Sequence, residues 1–196
     1  QEGAALTLKY NLRLPKIRDD RAAQINAEYE DLLNYYKDSY VTMLYNEQKE
    51  AWTESDVPLE VSLDFQIHFN DGEILSIVLC DGANIQERLT ETYTAETYSL
   101  VDGRQLTLSD IIQTSEPALS VAAREVARQI EEARKSDNVW GFYDDVDENI
   151  VSMYLSETSF YLREDGAIVL ILNPIGISES ESGLCEFVLD ASLLSD

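Results

Sequence analysis

The stretch LEVSLDFQIHFNDGEILSIVLC, residues 59–80, alternates from Leu59 through Val61, Leu63, Phe65, Ile67 and Phe69, breaks at Asn70-Asp71-Gly72, and resumes as an apolar run to Cys80. A period of two is the mark of a half-buried strand. The Asp-Gly pair tolerates the positive backbone angles of a tight turn, so Glu73 to Cys80 is expected to pair back as the second arm of a hairpin. His68, the sole histidine, alternates onto the face opposite Phe65, Ile67 and Phe69. It is read as a solvated residue rather than a catalytic one, because no second histidine or nucleophile motif accompanies it.

Working outward, Ala5 to Leu14 alternates in the same way and is closed by Pro15. A helical pattern follows from about Asp19 to Trp52, with Ala22, Ile25, Tyr29, Leu32, Leu33, Tyr36, Tyr40, Met43 and Leu44 at spacings of three and four. Downstream, Asp81-Gly82 reads as a break before a third strand over Glu91–Leu100, itself ended by Asp102-Gly103. Thr107 to Asp110 offers a cap for a short helix at Asp110–Gln113, and Pro117 suits the first turn of a helix reaching Lys135. Asp144–Tyr154 reads as one more short helix. Phe160–Arg163 and Ala167–Leu172 read as a hairpin about Asp165-Gly166, and Glu186–Leu189 as a last strand. This order gives an α+β fold: a mainly antiparallel sheet, one long N-terminal helix and a second helical segment packed on it. Residues 1–196 are expected to form a single compact unit, with 1–100 and 101–196 as subdomains.

Thirty-eight acidic residues against 14 Lys and Arg give a formal net charge of -24. Such a field repels phosphate backbones and anionic membranes and attracts basic proteins, so nucleic acid is excluded as a partner. No apolar run is long enough to span a bilayer. The start at Gln1 rather than Met suggests a processed or a trimmed chain, from which a signal peptide or an anchor could already have been removed. The two cysteines and one histidine are too few for a zinc cluster, so no cofactor is expected; a Cys80–Cys185 disulfide is left open.

Two clusters carry candidate chemistry. Asp145, Asp147 and Asn149 fall at the first three ligand positions of a calcium loop, but Ile150 stands where that loop needs Gly and Ser156 where it needs Glu, so they read as an acidic helix start. Trp140, Phe142 and Tyr143 place aromatic surface beside those acids, a composition used both by cores and by protein- or sugar-binding surfaces. Glu179 and Glu181 lie in the acidic run Ser178–Gly183, read as a solvated loop or a contact for a basic partner. No pair of carboxylates is singled out for hydrolase chemistry. Phosphate-cradling glycine motifs and Ser or Cys nucleophile motifs are missing from the chain.

Two further stretches carry a resemblance: Tyr10 to Pro15 followed by Ala23-Gln24-Ile25-Asn26, and Phe160-Tyr161-Leu162 with Asp165-Gly166 and Asn173-Pro174 up to Gly183. With Leu106 to Ile112 between them, they resemble a bacterial extracytoplasmic domain-of-unknown-function family. That family occurs in the C-terminal sensor region of lysozyme-sensing anti-sigma factors and in the N-terminal, non-catalytic region of some peptidoglycan deacetylases. The loop Ile175-Gly176 and Ser178 to Ser182 departs from the family's usual Tyr-Glu and Ala-Pro-Tyr-like run. The resemblance implies a non-enzymatic, extracytoplasmic binding or sensor domain of the cell envelope, secreted or membrane-anchored. Its expected ligand is a basic protein such as lysozyme, with a cell-wall glycan (peptidoglycan) module as the alternative and a carboxylate-dependent hydrolase as the third.

Overall fold

The structure, a computed structural model, describes residues 6–50, 52, 58–136, 139–180 and 183–190. Its elements run β1 (Leu8–Leu12), α1 (Ala23–Tyr35), α2 (Val41–Gln48), β2 (Leu59–Asn70), β3 (Ile74–Ile85), β4 (Arg88–Ser99), α3 (Leu108–Ile111), α4 (Ala118–Ser136), α5 (Glu148–Tyr154), β5 (Phe160–Leu162), β6 (Ile168–Leu172) and β7 (Cys185–Val188). They form a four-stranded sheet, β1-β2-β3-β4, and a three-stranded sheet, β5-β6-β7. The chain divides into two compact units, Gln1–Phe65 with Cys80–Glu91, and Gln66–Leu79 with Thr92–Asp196.

The α+β class holds, but the first sheet is mixed rather than mainly antiparallel. β1 pairs with β2 in parallel, from Leu8 opposite Leu59 to Leu12 opposite Leu63. Parallel neighbours need a crossover of a dozen residues or more, and the helical run 20–48 is that crossover. This run is one helix in sequence but not in geometry. A 3-10 turn at Asp20–Ala22 leads into α1, and a π-helical turn at Tyr36–Tyr40 separates α1 from α2. Asn26 anchors its start by exchanging two hydrogen bonds with the backbone of Ile17, at 2.8 and 2.9 Å.

In the first unit, Val41 and Leu44 of α2 share a core with Leu59, Val61 and Ala83, with Tyr36 and Tyr40 packed against it. The π turn swings these tyrosines over Asp81. The Tyr36 hydroxyl hydrogen-bonds to the Asp81 carboxyl, which burial holds above its ordinary pKa despite that bond. Asp81-Gly82 therefore does not break the strand: β3 continues through it to Ile85, and the chain reverses at Gln86 and Glu87, whose φ angles are 52° and 66°. Two consecutive positive φ values match a primed hairpin turn, which non-glycine residues adopt only at a cost.

In the second unit, every residue from Leu75 to Leu79 is buried. Val78 of β3 and Ala95 of β4 pack with Tyr161, Val169 and Ile171. The opposite face of β5-β6-β7, with Phe160, Leu162, Leu170, Leu172 and Phe187, shares the main core with Ala118, Ala122, Val126 and Ile130 of α4. A sheet covered on both faces explains why Ile168 to Leu172 reads as an unbroken apolar run. β5 is an edge strand, and two buried hydroxyls satisfy its outward backbone. Ser76 Oγ accepts from Leu162 N at 3.0 Å, Thr97 Oγ1 donates to Phe160 O at 3.2 Å, and the two hydroxyls lie 2.8 Å apart.

Ser76→Ala and Thr97→Val each leave a buried backbone group of β5 unpaired, and each is expected to cost about 1–3 kcal/mol in chemical denaturation. Because both lose the shared hydroxyl bond, the double variant is expected to cost less than the sum, and strict additivity in the cycle would show that the hydroxyls act separately. Asp81→Asn is expected to raise the thermal midpoint at pH 7 by about 1–3 °C. A carboxyl whose pKa folding raises stabilises the fold when protonated, and that contribution is lost as pH rises through the folded pKa. The gain should therefore shrink toward acid, and a gain that grows as pH falls would refute the assignment.

Candidate functional site

Two loops of the second unit join edge to edge. After α4, Gly141 takes φ +63°. Phe142 then bridges to Ser178. Tyr143 N donates to Ile177 O at 3.1 Å and Glu179 N to Gly141 O at 3.0 Å. From the last turn of α4, Arg134 donates to Tyr143 O at 2.7 Å and to Val146 O at 3.3 Å, so one guanidinium holds two carbonyls of the loop. These bonds bring the aromatic run and the acidic loop together, although 30 or more residues separate them in sequence.

The aromatic residues then divide by role. Phe142 is buried in the main core, 6.3 Å from the Phe187 ring. Trp140 is half-buried against the same core and lies over Gly183, where an added Cβ would stand 3.0 Å from its ring. Tyr143 is 43% exposed. Sequence reasoning missed Ile175, 55% exposed, and Met153 and Tyr154 at the end of α5. Tyr154 belongs to the cluster because its ring packs on Gly176, whose φ of +86° and missing side chain permit the approach. Gly176 beside Ile175 was the available signal, for a loop that must present an apolar residue needs a residue free to turn.

Exposed carboxylates surround this surface. Asp144, Asp145, Glu148 and Glu179 are all exposed. Asp147 is different: its carboxylate caps α5, accepting from Asn149 N at 2.9 Å and Ile150 N at 3.0 Å, and the bond from Ile150 chiefly holds its pKa below the ordinary value. The structure thus uses the Asp145, Asp147, Asn149 spacing to start a helix. Among the described residues, no three His, Cys, Asp or Glu side chains gather as a metal site would require. Glu181 lies outside the described residues.

No protein-family model matches the chain, and no curated protein matches it. Solved structures do. A member of the DUF3298 family from Bacteroides fragilis NCTC 9343 superposes with a TM-score of 0.52 and 14% identity, over 87% of this chain and 66% of that one. A DUF3298 family protein from Pseudomonas aeruginosa PAO1 gives a TM-score of 0.53 and 11% identity, over 90% of this chain and 84% of that one. The fold is that of a domain-of-unknown-function family. At the level of fold this agrees with the resemblance read from the sequence, and the chain spans just under two thirds of the Bacteroides protein.

The remaining candidates serve packing. His68 is half-buried rather than solvated: its ring stacks 4.0 Å from that of Tyr161, whose hydroxyl donates to Glu186 at 2.7 Å. Burial lowers the His68 pKa against the pull of Glu186, so the ring is neutral at pH 7. Ile67, expected inside, is exposed instead. Cys80 and Cys185 are thiols rather than a disulfide, and burial pushes Cys185 up to about 12. No described helix is long and apolar enough to cross a membrane.

Loss of the cap in Asp147→Ala is expected to cost about 1 kcal/mol, whereas Asp145→Ala should be near neutral. Thermal melts with and without millimolar calcium should superimpose for the parent chain. A calcium-dependent rise abolished by either substitution would show that the acidic run holds metal.

Proposed function

We propose that this chain is a non-enzymatic, extracytoplasmic binding or sensor domain that captures a basic protein on the surface formed by residues 139–148, 153–154 and 174–180. The observation that carries the reading is the exposure of Tyr143, Tyr154 and Ile175 beside Asp144, Asp145, Glu148 and Glu179, on a chain of net charge -24. Aromatic and aliphatic anchors inside a charged rim are the anatomy of a protein interface. The acidic field adds steering, raising the association rate for a cationic partner. Lysozyme, the ligand implied by the resemblance to anti-sigma-factor sensor regions, has the required charge. The thiol of Cys185 and the imidazole of His68 are committed to packing, which favours binding over catalysis. Trp140, set on Gly183 and the core, offers a sugar ring little of its face, which favours a protein over a glycan at this surface.

Calorimetry with hen lysozyme should show binding that weakens at least about tenfold between roughly 50 and 300 mM salt. Tyr143→Ala and Ile175→Ser should each weaken it by about 1–2 kcal/mol without lowering the thermal midpoint. Binding indifferent to salt and to both substitutions would sink the proposal. Binding to peptidoglycan fragments alone would transfer the role to the glycan reading.

A further inference from the structure

A groove of about 460 Å³ opens in the first unit, lined by residues of all four strands of the first sheet. The parallel register sets Lys9 beside Glu60 and Asn11 beside Ser62. Gly82 and Asn84 flank Ala83, which faces the core, so alternation turns them to the same outer face as Ser62. Tyr10, 59% exposed, and Leu89, 51% exposed, add apolar surface to the lining. One atom of this lining is anomalous. Asn84 Oδ1 is buried without a hydrogen-bond partner, alone in this among the described buried side-chain polar atoms. Folded proteins leave few such groups, since each carries the full cost of its lost hydration. Gly82 is the second irregular feature: a Cβ there would stand 2.9 Å from Ser62 Oγ and 3.6 Å from Glu91 Cγ, so the missing side chain keeps the floor of the groove low.

We propose that this groove binds a neutral saccharide. An unpartnered carbonyl calls for an N–H or O–H donor, and the amide torsion of Asn84 is soft enough to turn that oxygen toward a ligand. Charge narrows the choice. Lys9 is matched by Glu60 at 3.4 Å, and the surplus of carboxylates disfavours an anion. Tyr10 and Leu89 suit the C–H faces of a sugar ring, while Asn11, Ser62, Glu60 and Asn84 suit its hydroxyls. The volume falls within the range of about 300–1,000 Å³ usual for small-ligand sites. These residues are distinct from those of the proposed protein-binding surface, so the two readings stand or fall separately.

The test is an amide-detected NMR titration of the intact chain with chitotriose, a neutral probe carrying both hydroxyl and N–H donors, with glycerol as control. Saturable shifts at residues 9–11, 60–62 and 82–84 are expected, with glycerol inert. Asn84→Ala and Gly82→Ala should each weaken binding about tenfold or more. Asn84→Ala should not lower the thermal midpoint, because it removes an acceptor that the fold leaves unpaired. The proposal is overturned if chitotriose gives no saturable shift, if glycerol gives the same shifts and the groove thus takes an adventitious additive only, or if shifts are confined to residues 139–143. It is equally overturned if Asn84→Ala destabilises the fold and leaves binding intact, for the amide would then be structural.

Discussion

An edge strand buried inside a protein must find partners for backbone groups that no neighbouring strand can reach, and β5 meets that requirement with side chains. Ser76 and Thr97 stand on adjacent strands of the first sheet and on one face, so their hydroxyls can bond each other while serving Leu162 N and Phe160 O. Asn173 repeats the device after β6, its side-chain amide exchanging two hydrogen bonds with the backbone of Tyr93 at 2.8 and 3.0 Å. Side chains thus imitate strand pairing at two points, which fixes where the β5-β6 hairpin lies. The loop leaving β6 is placed by the same anchors, and with it the segment that pairs to Phe142 and Tyr143.

The parts of this fold legible in the sequence are those where one face is buried and the other wet. Leu59 to Leu63 and the turn at Asn70-Asp71-Gly72 follow that rule, with Asp71 Oδ1 accepting from the amides of Glu73 and Ile74. The rule fails where the covered face changes along a strand. Along Phe65 to Phe69 the sheet changes unit, Tyr161 covers the His68 side, and Ile67 turns to solvent, so alternation assigned both residues to the wrong environment. Asp81-Gly82 misled for another reason. Composition marks it as a turn, but Tyr36, 45 residues away in sequence, supplies the hydrogen bond that lets a carboxyl stay within a strand. The real reversal at Gln86-Glu87 carries no glycine and no local signal. The parallel β1-β2 pair was readable from the strand-helix-strand order at the N-terminus but was masked by the meander that follows.

At the candidate surface, sequence located the ingredients but not their division of labour. Trp140, Phe142 and Tyr143 look alike as a string, yet burial separates an anchor, a half-buried lid on Gly183 and an exposed ring. The acids divide in the same way: Asp147 is consumed by the α5 cap, while Asp144 and Asp145 have no comparable role. Ile175, an isolated apolar residue in a loop, has no period to give it away and only Gly176 beside it as a signal, and Tyr154, at the end of α5, joins it through its contact with Gly176.

The charge balance sharpens that distinction. Arg21, Arg104, Arg124, Arg128, Arg134, Lys135 and Arg163 each pair with a carboxylate nearby in sequence, while Lys9 and Arg13 pair across β1 and β2. Most of the 14 basic side chains are therefore already engaged, and exposed pairs of this kind contribute little stability. What they do is localise the positive charge beside particular acids, while the acids still outnumber the Lys and Arg residues 38 to 14. In the proposed role, charge alone would bring a cationic partner to the chain without choosing a place. In that role Tyr143, Tyr154 and Ile175 choose the place, because there exposed apolar side chains stand among the exposed Asp144, Asp145, Glu148 and Glu179.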